Sequence, residues 1–411
     1  MTALAEVGEG GHARYTFRLR VSSIARTALL SEWDRCRWVW NQCVAESRAA
    51  HKAKEKCGPA RLDRMLTGWR GEHEWLLTGW RGEHEWLRAG GSVPQQQIIR
   101  DFATSRSKAV KDIKAGLPMR RRAGMPRFKK KTVAGPTLNY TRRGFRLKDG
   151  RLCLAGGISL TVVWSRDLPS DPSSVRVYLD TLGHWYASFI VQTDVQPLPE
   201  TGEAIGIDWG VKETATTTSD EHDLPHPGYG QQSAGKLAGY QRMMARRKPK
   251  SGQAASKGYR KAKRQAAKAQ KKIAWQRQDA ARKWAKRVVT DFDRIAVEDF
   301  RPKFLAKSAM ARKAADAAIS ATKHELINMA RKHGRHLRLV HPAHTTMDCG
   351  RCGARAKHAL PLSERTYTCT ACGAVSPRDK NSARVMLVRA GLIPAAVDRG
   401  RPDGPPVRQA A

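Results

Sequence analysis

The sequence predicts a multidomain α/β protein with a β-rich domain before its midpoint and a zinc ribbon near its end. Three observations predict it. Short runs with alternating apolar residues crowd positions 138–193 between Gly, Asp and Pro turns, the pattern of a small barrel or sandwich. From 203 onward, buried apolar runs alternate with helical stretches in the order strand–strand–helix–strand–helix–strand–helix, which indicates a mixed sheet. Inside that second region stand Cys349-Gly-Arg-Cys352 and Cys369-Thr-Ala-Cys372, with the stretch 353–368 between them. Each C-x-x-C turn presents two thiolates to one ion, and this spacing fits a four-thiolate site for one Zn²⁺.

The elements follow in order. Residues 1–12 are glycine-rich and aperiodic, and are expected to be disordered. Tyr15-Thr-Phe-Arg-Leu-Arg-Val21 alternates as a half-buried strand does. Helix is expected over 24–51 and again over 60–114. Residues 118–131 form a basic loop without an acid. The short strands are Phe145-Arg-Leu, Arg151-Leu-Cys-Leu, Ser159-Leu-Thr-Val-Val-Trp, Ser174-Val-Arg-Val-Tyr-Leu and Trp185-Tyr-Ala-Ser-Phe-Ile-Val. After a linker at 197–201, buried strands are expected at 204–211, 214–218 and 294–298. Residues 235–290 read as a strongly basic helical region and 309–333 as a helix closed by Gly334. A strand at 336–341, the ribbon and a helix from 380 complete the domain.

Composition narrows the partner. Lys and Arg number 76 against 37 Asp and Glu, a formal charge of +39, so the chain needs a polyanion. No apolar run approaches membrane-spanning length and no signal-peptide core is present, which leaves nucleic acid rather than a lipid surface. Twelve tryptophans argue against a small ribosomal or histone-like protein. Outside the ribbon only Cys36, Cys43, Cys57 and Cys153 remain, too few for a disulfide framework, so a reducing cytosol is expected. Cys36 and Cys43 are expected to share an apolar helix face.

Three acids stand out, two of them at strand ends where a carboxylate is costly. Asp208 and Glu298 end apolar strands, and Asp379 opens a helix shortly after Cys372. Such groups are tolerated at strand ends when a cation or partner offsets burial. Singly, each reads as an ordinary strand-end or N-cap residue. Together they can hold two Mg²⁺ about 3.5–4 Å apart, one activating a water and the other steadying the leaving oxygen of a phosphodiester. Asp299 and Asp348 are neighbouring acids that remain possible minor contributors.

The set Gly206-Ile-Asp-Trp-Gly-Val-Lys212, Val297-Glu-Asp-Phe300, the two Cys pairs and Arg378-Asp-Lys-Asn-Ser-Ala-Arg384 closely resembles TnpB, the insertion-sequence-encoded RNA-guided nuclease, and the miniature type V CRISPR effectors. Tyr15-Thr-Phe-Arg-Leu, Cys36-Arg-Trp-Val-Trp-Asn41, Gly124-Met-Pro-Arg-Phe-Lys129 and Gly183-His-Trp-Tyr-Ala-Ser-Phe189 extend the resemblance over about 13–390. It implies an RNase H-like RuvC nuclease domain at 201–342 and 377–391, split by a zinc ribbon at 343–376 that binds target nucleic acid. It also implies a β-barrel wedge domain at 13–23 and 117–200 with a helical recognition domain, 24–116, inserted in it, and a flexible tail at 392–411. Asp208, Glu298 and Asp379 are then the catalytic acids and Mg²⁺ ligands.

The activity so implied is RNA-guided cleavage of double-stranded target DNA beside a short motif, with guide RNA as an obligatory partner. The expected place is a prokaryotic cytoplasm, on the nucleoid when target-bound. A CRISPR effector with the same chemistry, or a guide-dependent DNA-binding regulator that does not cut, are the alternatives. The sequence does not choose between monomer and dimer.

Candidate nucleic-acid contacts follow. Arg121, Arg122, Arg127, Lys129 and Lys130 lie in the basic loop. Gln95, Gln96 and Gln97 stand where relatives place polar side chains near the adjacent-motif duplex, and Gln can pair with adenine. Residues 242–287 hold 18 Lys/Arg and one acid, Asp279, among them Lys261, Lys263, Arg264 and Lys268, and suit the phosphates of an A-form heteroduplex. Trp275 and Trp284, in the same stretch, are expected to pack on the core. One departure is an exact repeat of the segment 66–76 as 77–87, a tandem duplication to which no new function attaches.

Overall fold

The computed structural model describes residues 5–6, 11–67, 79–131, 135–250, 253–300, 308–358, 360–361 and 363–393. The chain divides into two compact units, His12–Thr193 and Met1–Gly11 with Asp194–Ala411.

The unit His12–Thr193 is built on one seven-stranded sheet. Its order is Thr137–Thr141, Ser174–Leu179, Trp185–Thr193, Gly11–Arg20, Ile158–Val163, Arg151–Leu154, Phe145–Lys148. The two outermost strands are consecutive in sequence, joined only by the short turn Arg142–Gly144. An open sheet of this width would part its edges by about 29 Å. The connection reaches roughly 14 Å at most. The sheet therefore curls until it nearly closes, and the barrel is favoured over the sandwich. Leu138, Leu152, Leu160, Val175, Val177, Ala187 and Phe189 fill its interior.

Between the first strand and the rest come the helices Ser23–Lys52, Pro59–Thr67 and Ser92–Lys114. Ser22 starts the first by accepting from Ala25 N at 3.2 Å. Its inner face is Leu29, Trp33, Cys36, Val39, Trp40, Cys43 and Val44, so the two cysteines are core packing as expected. The helix expected over 60–114 is not continuous. Of the duplicated segment, 68–78 lies outside the described residues. The second copy forms two single turns, Trp80–Glu83 and Glu85–Arg88, whose Trp80, His84 and Trp86 rings surround Trp38 with centroids 5.0–5.9 Å away. The break between the two turns falls at His84, whose backbone is extended, and Gly79 precedes the first.

The second unit holds a six-stranded sheet in the order Ala5–Glu6, His336–Val340, Arg294–Glu298, Ala204–Trp209, Glu213–Thr217, Leu224–Pro225. Arg294–Glu298 runs parallel to both neighbours, and Ala204–Trp209 turns back antiparallel into Glu213–Thr217. Residues 5–6, expected to be disordered, are thus a sheet edge, pairing with Arg338 and Leu339. One face of the sheet, through Ile205, Ile207, Ile295 and Val297, packs with Trp284, Val288, Ile319 and Leu326. The other, through Ala204 and Ala296, packs with Met386, Leu387 and Ala390 of the helix Arg378–Arg389 and its C-terminal end.

Two helical expectations need correction. The basic region 235–290 is two helices, Ala234–Arg246 and Lys257–Asp291, the first ending three residues before Pro249 and the second started by Ser256, which caps Tyr259 N at 3.1 Å. The stretch 309–333 is also two, Ala311–Ala317 and Ile319–Lys332. Ala318 between them adopts φ 52°, a left-handed conformation that an alanine gives no sequence reason to expect. The tail 394–411 lies outside the described residues; Leu392, just before it, is buried.

Candidate active site and zinc centre

Sheet register creates the cleft. Ile207 pairs with Val297 across the parallel strands, so Asp208 and Glu298 lie level at the C-terminal ends of neighbouring strands. Alternation sends both toward the face covered by Arg378–Arg389. Glu298 is 6 % exposed, its Oε2 accepting from Trp209 N at 3.3 Å while its carbonyl accepts from Trp209 Nε1 at 3.1 Å. Asp208 and Glu298 hydrogen-bond each other. Burial, then the charges of Glu298 and Asp379, hold the Asp208 carboxyl well above the usual carboxylate range. Burial likewise pushes Glu298 up to about 7, opposed by the Trp209 amide, Asp208 and Lys323.

The third acid arrives on a helix pressed unusually close. A Cβ at Gly206 would lie 1.9 Å from Ala383 O, so only glycine lets the helix backbone seat on the strand. Lys380 then ties the helix start to the adjoining hairpin, donating to Thr217 O at 3.0 Å and pairing with Asp223 at 2.7 Å and Asp220 at 2.6 Å. Asp379 is left at the rim, its side chain 43 % exposed and 3.8 Å from Arg365 of the ribbon. Asp208, Glu298 and Asp379 line one cleft of about 1100 Å³, together with Lys212, Arg365 and Arg378. Asp299 also lines it, held by Lys323 Nζ at 2.8 Å. Asp348 does not; it pairs with Arg355 and Arg389 at 2.6 and 2.5 Å. Sequence reading missed Lys323, Arg365 and Arg378, because a cation carries no spacing signal of its own.

The four cysteines converge, with every sulfur within 4.8 Å of the others. Cys349 and Cys372 sulfurs are 3.8 Å apart, and those of Cys352 and Cys369 3.7 Å. A tetrahedral ion with Zn–S of about 2.3 Å holds its sulfurs about 3.8 Å apart, so the residues fit zinc. The two turns repeat one backbone pattern. Cys349 N donates to Ala354 O and Gly353 N to Cys349 O; Cys369 N donates to Ala374 O and Gly373 N to Cys369 O, all at 2.8–3.0 Å. Gly353 and Gly373 supply the positive φ, 76° and 69°, that each turn requires.

The first turn also grips the helix carrying Asp379. Gly350 N donates to Asn381 Oδ1 at 2.8 Å, Asn381 Nδ2 to Asp348 O at 2.7 Å, and Arg384 Nε to Gly350 O at 3.0 Å. Asn381 is buried.

The nucleic-acid candidates divide. Lys261, Lys263, Arg264 and Lys268 lie on Lys257–Asp291, and all four are exposed. Arg121 and Lys130 are exposed or half-exposed in the basic loop, as is Arg127, and Arg122 donates Nε to Leu117 O. Two candidates are corrected. Gln95 is 0 % exposed and spent inside the fold, accepting from Arg81 Nη1 at 2.6 Å and donating to Leu87 O at 2.9 Å; Gln96 and Gln97 are half-buried. Lys129 packs its ammonium 4.0 Å from the Trp40 ring centre, and burial lowers its pKa. The tryptophan expectation holds for Trp284 and fails for Trp275, which is exposed.

Comparison with known proteins agrees with these features. Residues 188–309 match a family model described as a probable transposase (OrfB_IS605), and 321–386 match the Cas12f1-like TNB domain. A Streptomyces pristinaespiralis protein named as an RNA-guided DNA endonuclease is 31 % identical over 370 residues, 89 % of this chain and 85 % of its own length. Escherichia coli K12 InsQ, similarly named, is 26 % identical over 94 % of this chain and 95 % of its own. In fold, the chain is similar to Cas12f1 solved with sgRNA and target DNA, at TM-score 0.52 and 11 % identity over 92 % of this chain and 98 % of that one. With two C-x-x-C turns, strand-end acids and near-full-length identity of this order, the chain belongs to the TnpB family of RNA-guided DNA endonucleases.

Proposed function

We propose that the protein is a guide-RNA-dependent endonuclease that hydrolyses target DNA in the cleft of Asp208, Glu298 and Asp379. The observation that carries this reading is the gathering of three carboxylates, Asp208, Glu298 and Asp379, in one cleft of a chain of charge +39. Crowded anions of this kind are relieved by a cation. Asp208, Glu298 and Asp379 are the residues that would hold Mg²⁺, which when bound activates water and stabilises the leaving oxygen of a phosphodiester.

The chain's own groups do the rest. The Trp209 amide and the Glu298 backbone–indole bond fix the Glu298 carboxylate against rotation. Lys323 neutralises Asp299, so one further anion is withdrawn from the cleft. Arg365 and Lys212 line the cleft and would seat a phosphate against the acids, with the buried Arg378 behind them. The ribbon, residues 343–376, would hold one Zn²⁺ through Cys349, Cys352, Cys369 and Cys372 as a structural centre.

In the same reading 201–342 and 377–391 are the RuvC-like nuclease domain, 13–23 with 117–200 the wedge and 24–116 the recognition domain. Arg121, Arg122, Arg127 and Lys130 would contact phosphates, as would Lys261, Lys263, Arg264 and Lys268. Gln96 and Gln97 remain the glutamines placed to approach a base.

The test is guide reprogramming with Mg²⁺ present. Cutting that moves to a newly matched target, and ceases with EDTA, supports the reading. Cutting that stays at one site whatever the guide would leave a structure- or sequence-specific nuclease, and guide-dependent binding without cutting a regulator. Sequencing the co-purified RNA separates a transposon-end scaffold from a CRISPR-repeat one.

A further inference from the structure

The helix Lys257–Asp291 carries Trp275 and Trp284 half a turn out of phase, since their separation is two and a half turns of an α-helix. Trp284 is 3 % exposed, its indole N–H donating to His222 O at 2.7 Å and its ring set edge-on to Trp209 at 6.0 Å. Trp275 is consequently turned outward and is 55 % exposed. The Lys271 ammonium lies 4.7 Å from its ring centre. Lys271, Lys268 and Arg264 stand one, two and three turns before Trp275, which puts all of them on one stripe of the helix. Past Trp275 the row is interrupted for two turns, and the next exposed cation on the stripe is Lys286. Asp279 is exposed and pairs with Lys283 at 2.8 Å, and Arg282 is taken by Glu325 at 3.3 Å.

A cation row alone suits a phosphate backbone and has no use for an indole. An indole gains instead from the flat face of a base. Within a duplex both faces of every base are covered by neighbours. A free face exists only where the duplex stops. We propose that Trp275 is a stacking platform for the terminal base of a nucleic-acid duplex whose backbone lies along Arg264, Lys268 and Lys271. This rests on the nucleic-acid-binding part of the function proposed above and not on cleavage.

The experiment compares wild type, Trp275→Ala and Trp275→Phe, as full-length protein, by fluorescence anisotropy over a salt series. Three probes of about 20 base pairs with free ends are used (RNA–DNA hybrid, DNA duplex, RNA duplex), with a covalently closed circular DNA duplex that has no end. Trp275→Ala should weaken at least one open-ended probe roughly tenfold. The probe that loses most identifies the source of the end. The circle should bind as before, and the salt slope should not change, because stacking releases no counterions. Trp275→Phe should recover most of the loss, whereas Lys268→Ala should lower the slope on every probe. An equal loss on circle and open probes would make Trp275 a general surface contact and overturn the proposal. No loss on any probe would do the same and point to a protein partner for the indole. The comparison is readable even if the wild-type protein cuts nothing, so its failure and that of the nuclease reading are distinct.

Discussion

The four-cysteine cluster and the carboxylate cleft both gather side chains suited to a cation, and they reach that state by opposite routes. The sulfurs come from two turns of one short segment, Cys349 to Cys372, each shaped by its own backbone hydrogen bonds and one left-handed glycine. The carboxylates come from two strands and a helix spread along the chain from Asp208 to Asp379, and none has a local device that holds it in place. The zinc turns are therefore specified locally, whereas the cleft is specified by register and docking. The Gly350–Asn381 bonds join the two, so that the locally determined centre steadies the helix on which the other depends.

The largest expected effect breaks the cleft directly. Asp208→Ala or Glu298→Ala should lower single-turnover DNA cleavage by roughly a thousandfold or more, with guide-RNA binding retained. Asp379→Ala belongs to the same class. Near-normal cutting by any one of the three removes that acid from the site.

Next comes the join. Wild-type protein should contain one zinc per chain by metal analysis, and Cys349→Ser should lose it together with about 10- to 100-fold of cleavage. Asn381→Ala should keep its zinc and still cut more slowly. If it cuts like wild type, the two centres are independent.

Gly206→Ala sharpens the contrast from the other side. The added methyl cannot share space with Ala383 O, so the helix must move or the strand must yield, at about 1–3 kcal/mol. Cleavage should fall by about tenfold or more while zinc content is unchanged. Unaltered cleavage would show that Asp379 tolerates displacement.

The smallest effect is on pH. Glu298 ionises near 7 in the fold against an ordinary 4.5, so the folded chain holds the extra proton between those values. With EDTA present, melting temperature should therefore decline as pH rises from 4.5 through about 7, and Glu298→Gln should flatten that slope. Mg²⁺ should flatten it too, because the cation takes the proton's place. A slope of opposite sign would refute the buried pair.

This contrast also explains what the sequence disclosed. The ribbon was legible because C-x-x-C spacing is itself the geometry. Asp208 and Glu298 were legible because a carboxylate ending an apolar run is conspicuous. Arg365 and Lys323 were not, since their roles come only from tertiary placement. Gln95 misled because a glutamine on a helix gives no sign of which neighbour will claim its amide, here Arg81 and Leu87. The break at Ala318 had no composition cue, whereas Pro249 and Ser256 did announce the gap in the basic region. The phase of Trp275 against Trp284 was countable from the start, because two and a half helical turns cannot put two side chains on one face.

The contact at Gly206 bears on how a chain of this kind could lose its activity by descent. A lineage passing from cutter to silent binder need not change any acid or any cysteine. One methyl on the strand beneath Ala383 would already slow cutting, and every acid and every cysteine would survive it. An intact roster of acids is therefore an incomplete certificate of a working nuclease, and position 206 is the place to look when sorting active from silent descendants.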